Sequence, residues 1–239
     1  YREGLSMVVE VSNDGQERVT AVLCSAGLDS TVLVAHEGQD GAVQPVYITA
    51  GLAWEHAEQQ LAARLLAAPI FMAYIRPLKL LECPVDDIYP SVHWALRGTP
   101  PTYTTPDSDV YLVGRNALLL SKVAVYCALN RISRIAIGPL AGNPFPDATP
   151  DFFSAIARAL SLGLDHRINI VTPFAKMKKE DVIRVGNTLG VPWELTLSCM
   201  NPVELAHCGR CSKCRERLQA FAVTGLVDPA PYDFRPEDV

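Results

Sequence analysis

The sequence predicts an α/β protein built on one parallel sheet with helices on both faces. Short β-branched runs alternate along the chain with longer amphipathic segments, the pattern of strands joined by crossover helices. The first such run ends in a turn of small residues, Ser25-Ala26-Gly27-Leu28-Asp29-Ser30, that leads directly into a helix. Near the C-terminus Cys199, Cys208, Cys211 and Cys214 are spaced C-x8-C-x2-C-x2-C, which predicts a small metal-stapled lobe attached to the sheet.

Val19 to Cys24 reads as the first strand and Ser30 to Glu37 as the helix after its turn. Val43 to Thr49 reads as the second strand, Trp54 to Ala67 as a helix rich in alanine, leucine and glutamine, and Ile70 to Ile75 as a third strand. Asn116 to Asn130 is apolar nearly all round, which predicts a helix buried within the fold. Arg134 to Gly138, Asp151 to Gly163, Arg167 to Val171 and Lys178 to Leu189 follow as strand, helix, strand and helix. Two stretches break the alternation. Cys83 to Val113 contains Pro84, Pro90, Pro100, Pro101 and Pro106, and a loop of that length is expected to be a lid, a subunit contact or a mobile segment. Gly138 to Pro150 is again too proline-rich for regular structure. It follows a strand end, where parallel sheets bind ligands.

The 239 residues suffice for one domain, 1–239, with residues 199–217 as its metal-binding lobe. Hydrophobic residues make up 49% and charged residues 20%, which excludes a disordered chain. The net charge of −5 gives no general attraction to nucleic acid, so a nucleic-acid partner is not expected. No apolar run reaches roughly 18 residues and no signal-peptide pattern opens the chain, so a soluble cytoplasmic protein without a membrane partner is expected. Cys24, Cys83 and Cys127 lie scattered among apolar neighbours, as buried free thiols in a reducing compartment do.

Four thiolates at such short spacing can converge on one tetrahedral zinc with no open position, which is a structural site. Gly209 supplies the backbone freedom that a tight knuckle needs, and Lys213, Arg215 and Arg217 are placed to offset the thiolate charge. His207 is a neighbour that could replace one ligand. At the other end of the chain, the small residues of Ser25 to Ser30 let backbone N–H groups approach an anion closely, and the following helix N-terminus favours negative charge. Asp29 would repel a phosphate there unless it holds magnesium or caps the helix.

A strand followed by Ser-Gly-Gly-x-Asp-Ser is the signature of the PP-loop ATP pyrophosphatases, and Ser25 to Ser30 resembles it with Ala26 in place of one glycine. Further motifs are similar to those of the 7-cyano-7-deazaguanine synthase family. These are Gly114-Arg115-Asn116, Pro146-Asp147, Thr172-Pro173 with Lys179, Glu194-x-Thr196-x-Ser198-Cys199 and Cys208-Gly209-Arg210-Cys211-x-x-Cys214-x-x-Arg217, in the family's order. The resemblance implies a Rossmann-like PP-loop fold and a homodimer. It also implies ATP phosphates and Mg2+ held by the loop Ser25, Ala26, Gly27, Leu28, Asp29 and Ser30, with Asp29, Arg115 and Lys179 catalytic. Asn116, Asn143 and Asp147 would then bind the acceptor, and the four cysteines would hold structural zinc. The implied reaction adenylates a small-molecule carboxylate, 7-carboxy-7-deazaguanine in the family, and lets ammonia displace AMP.

The sequence departs from that family where the acceptor would sit. Ala50-Gly51-Leu52-Ala53-Trp54 stands in place of Tyr-Gly-Gln-x-His, and Gly142-Asn143-Pro144-Phe145 replaces a polar stretch, so Leu52, Trp54 and Phe145 are expected to line a more apolar acceptor wall. Three other readings therefore stay open. They are a paralogue that activates another carboxylate or joins a deazaguanine to a different amine, a PP-loop tRNA-modifying enzyme with a reactive cysteine, and a nucleotide-binding module without turnover.

Overall fold

The computed structural model describes residues 18–236, so the ends of the expected 1–239 domain lie outside the described residues. Five parallel strands, β1 (Val19–Leu23), β2 (Ala42–Thr49), β3 (Lys79–Glu82), β4 (Arg134–Ala136) and β5 (Asn169–Val171), form one sheet in the order β3-β2-β1-β4-β5. The order reverses between β1 and β4. Crossovers leave in opposite directions at that point, which opens a crevice at the C-terminal strand ends.

The two-residue period of the central strand explains the layers. Val22 and Cys24 point into a core shared with the helices α1 (Leu28–Glu37), α2 (Glu55–Leu66), α6 (Lys179–Thr188) and α7 (Ser212–Thr224). Ala21 and Leu23 point the other way, against α4 (Arg115–Leu129) and α5 (Pro150–Leu164). A third, smaller core gathers Leu52, Trp54, Val85, Tyr89 and Ala95, the last of these on the single-turn helix α3 (Trp94–Arg97). The long excursion is thus anchored by its own apolar residues, with Trp94 stacked on Trp54 at 5.8 Å between ring centroids.

Two expectations need correction. Residues 70–75 are a run of turns, with Ile75 alone touching the sheet as a bridge to Val43. Phe71, fully buried, pins those turns against the end of α2, and its burial contributes about 1.5–3 kcal/mol. Pro77 cannot donate to the ladder, so pairing resumes only beyond it, as β3. Helix α4 is not buried all round: Leu120, Val123, Ala124 and Cys127 form its inner stripe, while Leu129 is 81% exposed. Cys214 lies in the first turn of α7, which runs on to a left-handed stop at Gly225. No helix among the described residues is long and apolar enough to cross a membrane.

Candidate active site and metal centre

The C-terminal ends of β1, β2 and β4 and the N-terminus of α4 surround a cavity of 310 Å³, within the range of small-molecule sites. Ser25, Gly27, Asp29 and Ser30 line one part of it, Arg115, Asn116, Asn143 and Asp147 another. The phosphate turn and the acceptor residues expected from sequence therefore share one chamber. Ala26 and Leu28 do not line it; both are buried in the core beneath. Ser30 Oγ donates to the Gly27 carbonyl at 3.0 Å, and the Ser25 and Gly27 N–H groups lie 3.3 and 3.4 Å from Ser30 Oγ and Ser25 Oγ. A Cβ at Gly27 would come within 3.1 Å of Ser25 Oγ, so the turn is shaped around a bare backbone.

Ala26 stands at φ +56°, the left-handed region that favours glycine. Its carbonyl accepts from Leu197 N–H at 2.9 Å, which fixes the strained residue from the side of the metal lobe. The strain costs about 1–2 kcal/mol, and the buried Cβ contributes about 0.8 kcal/mol. Ala26→Gly is accordingly expected to leave stability within about 1 kcal/mol. Ala26→Val, β-branched at a left-handed position, should cost on the order of 2 kcal/mol or more. Urea midpoints of the two variants check both values; equal midpoints would contradict the strain.

Asp29 Oδ2 accepts from Lys179 Nζ at 3.0 Å, while Asp29 Oδ1 is buried without a partner. Lys179 does not line the cavity. It sits behind Asp29 and also pairs with Glu216 Oε1 at 2.6 Å, and Glu216 Oε2 pairs with Lys213 at 2.6 Å. Burial works against the Lys179 charge, but Asp29 and Glu216 together raise its pKa well above the usual lysine value. Burial would likewise raise Glu216, yet Lys179 and Lys213 bring it down to about 2. The chain from Asp29 through Lys179 to Glu216 joins the phosphate turn to α7, two residues beyond Cys214.

Asp147 is 7% exposed and crosses to α4, where its Oδ2 accepts from Asn116 N–H at 2.9 Å and its carbonyl accepts from Asn116 Nδ2 at 2.9 Å. It caps α4 rather than the nearby α5, whose own cap is Thr149. Asn143 Oδ1 accepts from Phe145 N–H at 2.9 Å. Arg115 presents a buried Nε with no partner. Leu52 and Trp54 do not form a wall of this cavity, contrary to expectation, because both are drawn into the third core; the aromatic lining comes from Tyr47 and from Tyr111 and Phe145, the last two stacked at 5.0 Å.

One charged lining residue escaped the sequence reading. Glu58, on α2, is 8% exposed and accepts from Tyr47 Oη at 2.8 Å. In a helix of alanine and glutamine it reads as a solvated charge, and its only sequence signal is the pairing with Glu55 one turn earlier. Glu55 instead accepts from the Ala50 and Gly51 N–H groups at 2.8 and 3.0 Å, closing the turn after β2.

The four cysteines converge as predicted: all are buried and their sulfurs lie within 4.8 Å of one another. Cys199–Cys211 and Cys208–Cys214 are 3.9 Å apart and Cys211–Cys214 3.5 Å. A tetrahedron with 2.3 Å metal–sulfur bonds has edges of about 3.8 Å, so the donor set fits a single metal ion. Gly209, at φ +73°, packs so tightly that a Cβ would overlap the Phe234 carbonyl. His207 is no ligand: Ser198 N–H donates to its Nε2 at 3.0 Å, and its ring stacks on Tyr232. Nor do the basic residues serve the thiolates. Arg217 forms a bidentate, buried pair with Asp228 at 2.7 and 2.8 Å, Arg215 holds Asp107 and the carbonyls of Tyr103 and Thr105, and Lys213 holds Glu216.

A parallel sheet that reverses at its first strand, with a serine–glycine turn at the reversal and a buried four-cysteine cluster near the C-terminus, defines a doubly wound α/β protein. Within that class the chain belongs to the queuosine biosynthesis protein QueC family, whose model matches residues 19–225. A 7-cyano-7-deazaguanine synthase of Trichormus variabilis is 42% identical over 129 residues, 51% of this chain and 56% of that protein. One of Methanospirillum hungatei is 32% identical over 225 residues, 88% of this chain and 97% of that protein. The chain thus spans a little over half the length of the relatives it matches at about 42%, and nearly all of the second. The solved U34-tRNA thiolase NcsA from Methanococcus maripaludis is 11% identical, with a TM-score of 0.44 over 90% of this chain and 68% of that one.

Proposed function

We propose that the protein is an ATP-dependent carbon–nitrogen ligase that adenylates 7-carboxy-7-deazaguanine and lets ammonia displace AMP, carrying the acid through the amide to the nitrile. The observation behind this reading is the shared chamber: a phosphate turn with the unpartnered Asp29 Oδ1, and within the same cavity Arg115 and Asp147. Family membership supports the substrate.

On this reading ATP lies with its phosphates on the turn. The acid carboxylate attacks the α-phosphorus, and pyrophosphate leaves toward Ser25 to Ser30. Mg2+ bound by Asp29 and the phosphates would supply charge neutralisation for the leaving group. Arg115, which lines the cavity, stabilises the charge that develops on the phosphates. Lys179 acts through Asp29, holding its carboxylate toward the turn. Asp147 keeps one oxygen for the amino-bearing ring, which Tyr111 and Phe145 stack against, and Asn116 and Asn143 border the same space. The cysteines hold zinc as a closed, structural site. The protein works in the cytoplasm as a homodimer, as the family likeness implies. Sulfur transfer is disfavoured because burial pushes the cavity-lining Cys24 thiol up to about 11.

Isotope exchange between pyrophosphate and ATP tests the first step. Exchange should require 7-carboxy-7-deazaguanine, and Asp147→Asn should raise the KM for that acid about tenfold, from the loss of ~1.4 kcal/mol of recognition. Exchange supported by unrelated pterin or purine acids and not by this one would replace the proposed acceptor.

A further inference from the structure

We propose that Glu58 is the catalytic base that takes the proton from the nitrogen nucleophile in the second half-reaction. The inference rests on the ligase reading above and adds a residue to it. Ammonia reaches a neutral site mostly as ammonium, whose nitrogen has no lone pair for attack, so the cavity must contain a group able to accept a proton. Asp29 gives one oxygen to Lys179 and sits at the phosphate turn, and Asp147 gives one to the N-terminus of α4. Cys24 holds its proton too tightly. Glu58 is the remaining lining carboxylate among the described residues, on a wall otherwise made apolar by Leu23, Val46 and Ile48.

Its surroundings suit the task. Tyr47 from β2 donates to Oε2, which fixes the carboxylate and leaves lone pairs for a further N–H. Arg115 from α4 supplies an opposing charge, Glu55 on α2 a like charge, and Cys24, just past the end of β1, a neutral thiol. Burial is the dominant influence and outweighs Arg115 and Tyr47, so the carboxyl titrates at about 7. A base with that value is half in its accepting form at neutral pH and releases the proton again readily.

Ammonium gives one proton to the Glu58 carboxylate, and the freed lone pair forms the C–N bond to the acyl carbon. The C–O bond to AMP breaks, and its electron pair leaves on the AMP phosphate. Glu58 returns its proton to water and accepts the second one shed as the ammonium-like adduct becomes the amide.

Wild type, Glu58→Gln and Glu58→Asp are compared as full-length protein, with ammonium chloride or hydroxylamine as nucleophile. Hydroxylamine is largely unprotonated at neutral pH and needs no base to expose its lone pair. Glu58→Gln should slow amide formation from ammonium about 100-fold or more, within the usual range for a general base. Loss with hydroxylamine should stay within about threefold, and Glu58→Asp should recover part of the ammonium rate. In the wild type, kcat/KM for ammonium should rise through about pH 7, a limb absent in Glu58→Gln. Equal losses with both nucleophiles, alongside wild-type pyrophosphate exchange, would overturn the base role and leave Glu58 a shaping residue. Absence of that exchange with 7-carboxy-7-deazaguanine in the wild type would overturn the ligase reading and this inference with it.

Discussion

Cys211→Ser is expected to melt the C-terminal lobe and the phosphate turn together. Structural zinc contributes roughly 10–16 kcal/mol to folding in small peptides. Here the lobe is fused to the main core. All four cysteines belong to the same buried cluster as α1 and α2, with Phe221 and Trp193 packed edge to face beside them. Two links carry the loss onward. Leu197, two residues before Cys199, donates to the strained Ala26 carbonyl, and Glu216, two residues after Cys214, holds Lys179 against Asp29. A loss of about 5 kcal/mol would lower the melting temperature by roughly 10–20 °C in a domain of this size. Calorimetry of the variant, and of wild type with a chelator, reads this value. Hydrogen exchange should report faster opening at residues 25–30 as well as 197–214. A melting temperature within two or three degrees of wild type would show the cysteine cluster to be dispensable.

Asp29→Ala is expected to remove pyrophosphate exchange by about 1,000-fold or more, the size of one lost charge-stabilising group worth ~4 kcal/mol. The fold should survive. Lys179 keeps Glu216 as its partner, and the first turn of α1 loses only the roughly 0.3–1 kcal/mol that an N-terminal carboxylate contributes. The two readouts must therefore separate: exchange abolished, with the melting temperature down by a few degrees at most. A variant that turns over normally but melts early would reduce Asp29 to a helix-end charge.

Much of this arrangement is legible in the sequence because local chemistry specifies it. The strand of β1, the small-residue turn and the start of α1 follow one another without a break, so their geometry needs no distant partner. The four cysteines carry their own metal geometry. Four features depended on contacts far away in the chain. The third strand shifted because Pro77 interrupts pairing and Phe71 claims a core site, both decided by what β2 and α2 leave open. Leu52 and Trp54 look like pocket residues until the excursion supplies Val85, Tyr89 and Trp94 to cover them. The charges expected beside the thiolates found carboxylates instead: Arg217 met Asp228, Arg215 met Asp107 and Lys213 met Glu216. Glu58 was invisible for the same reason, since Tyr47 and Arg115 give it a role only once β2 and α4 come alongside α2.

On the proposed function the cavity activates a carboxylate by transferring AMP to it. Turnover of 7-carboxy-7-deazaguanine labelled with oxygen-18 in both carboxylate oxygens tests this most directly, with mass spectrometry of the released nucleotide. AMP should carry one heavy oxygen for each ATP consumed, because the acid oxygen that attacks the α-phosphorus leaves with it. Unlabelled AMP, or ADP with the label in inorganic phosphate, would contradict it.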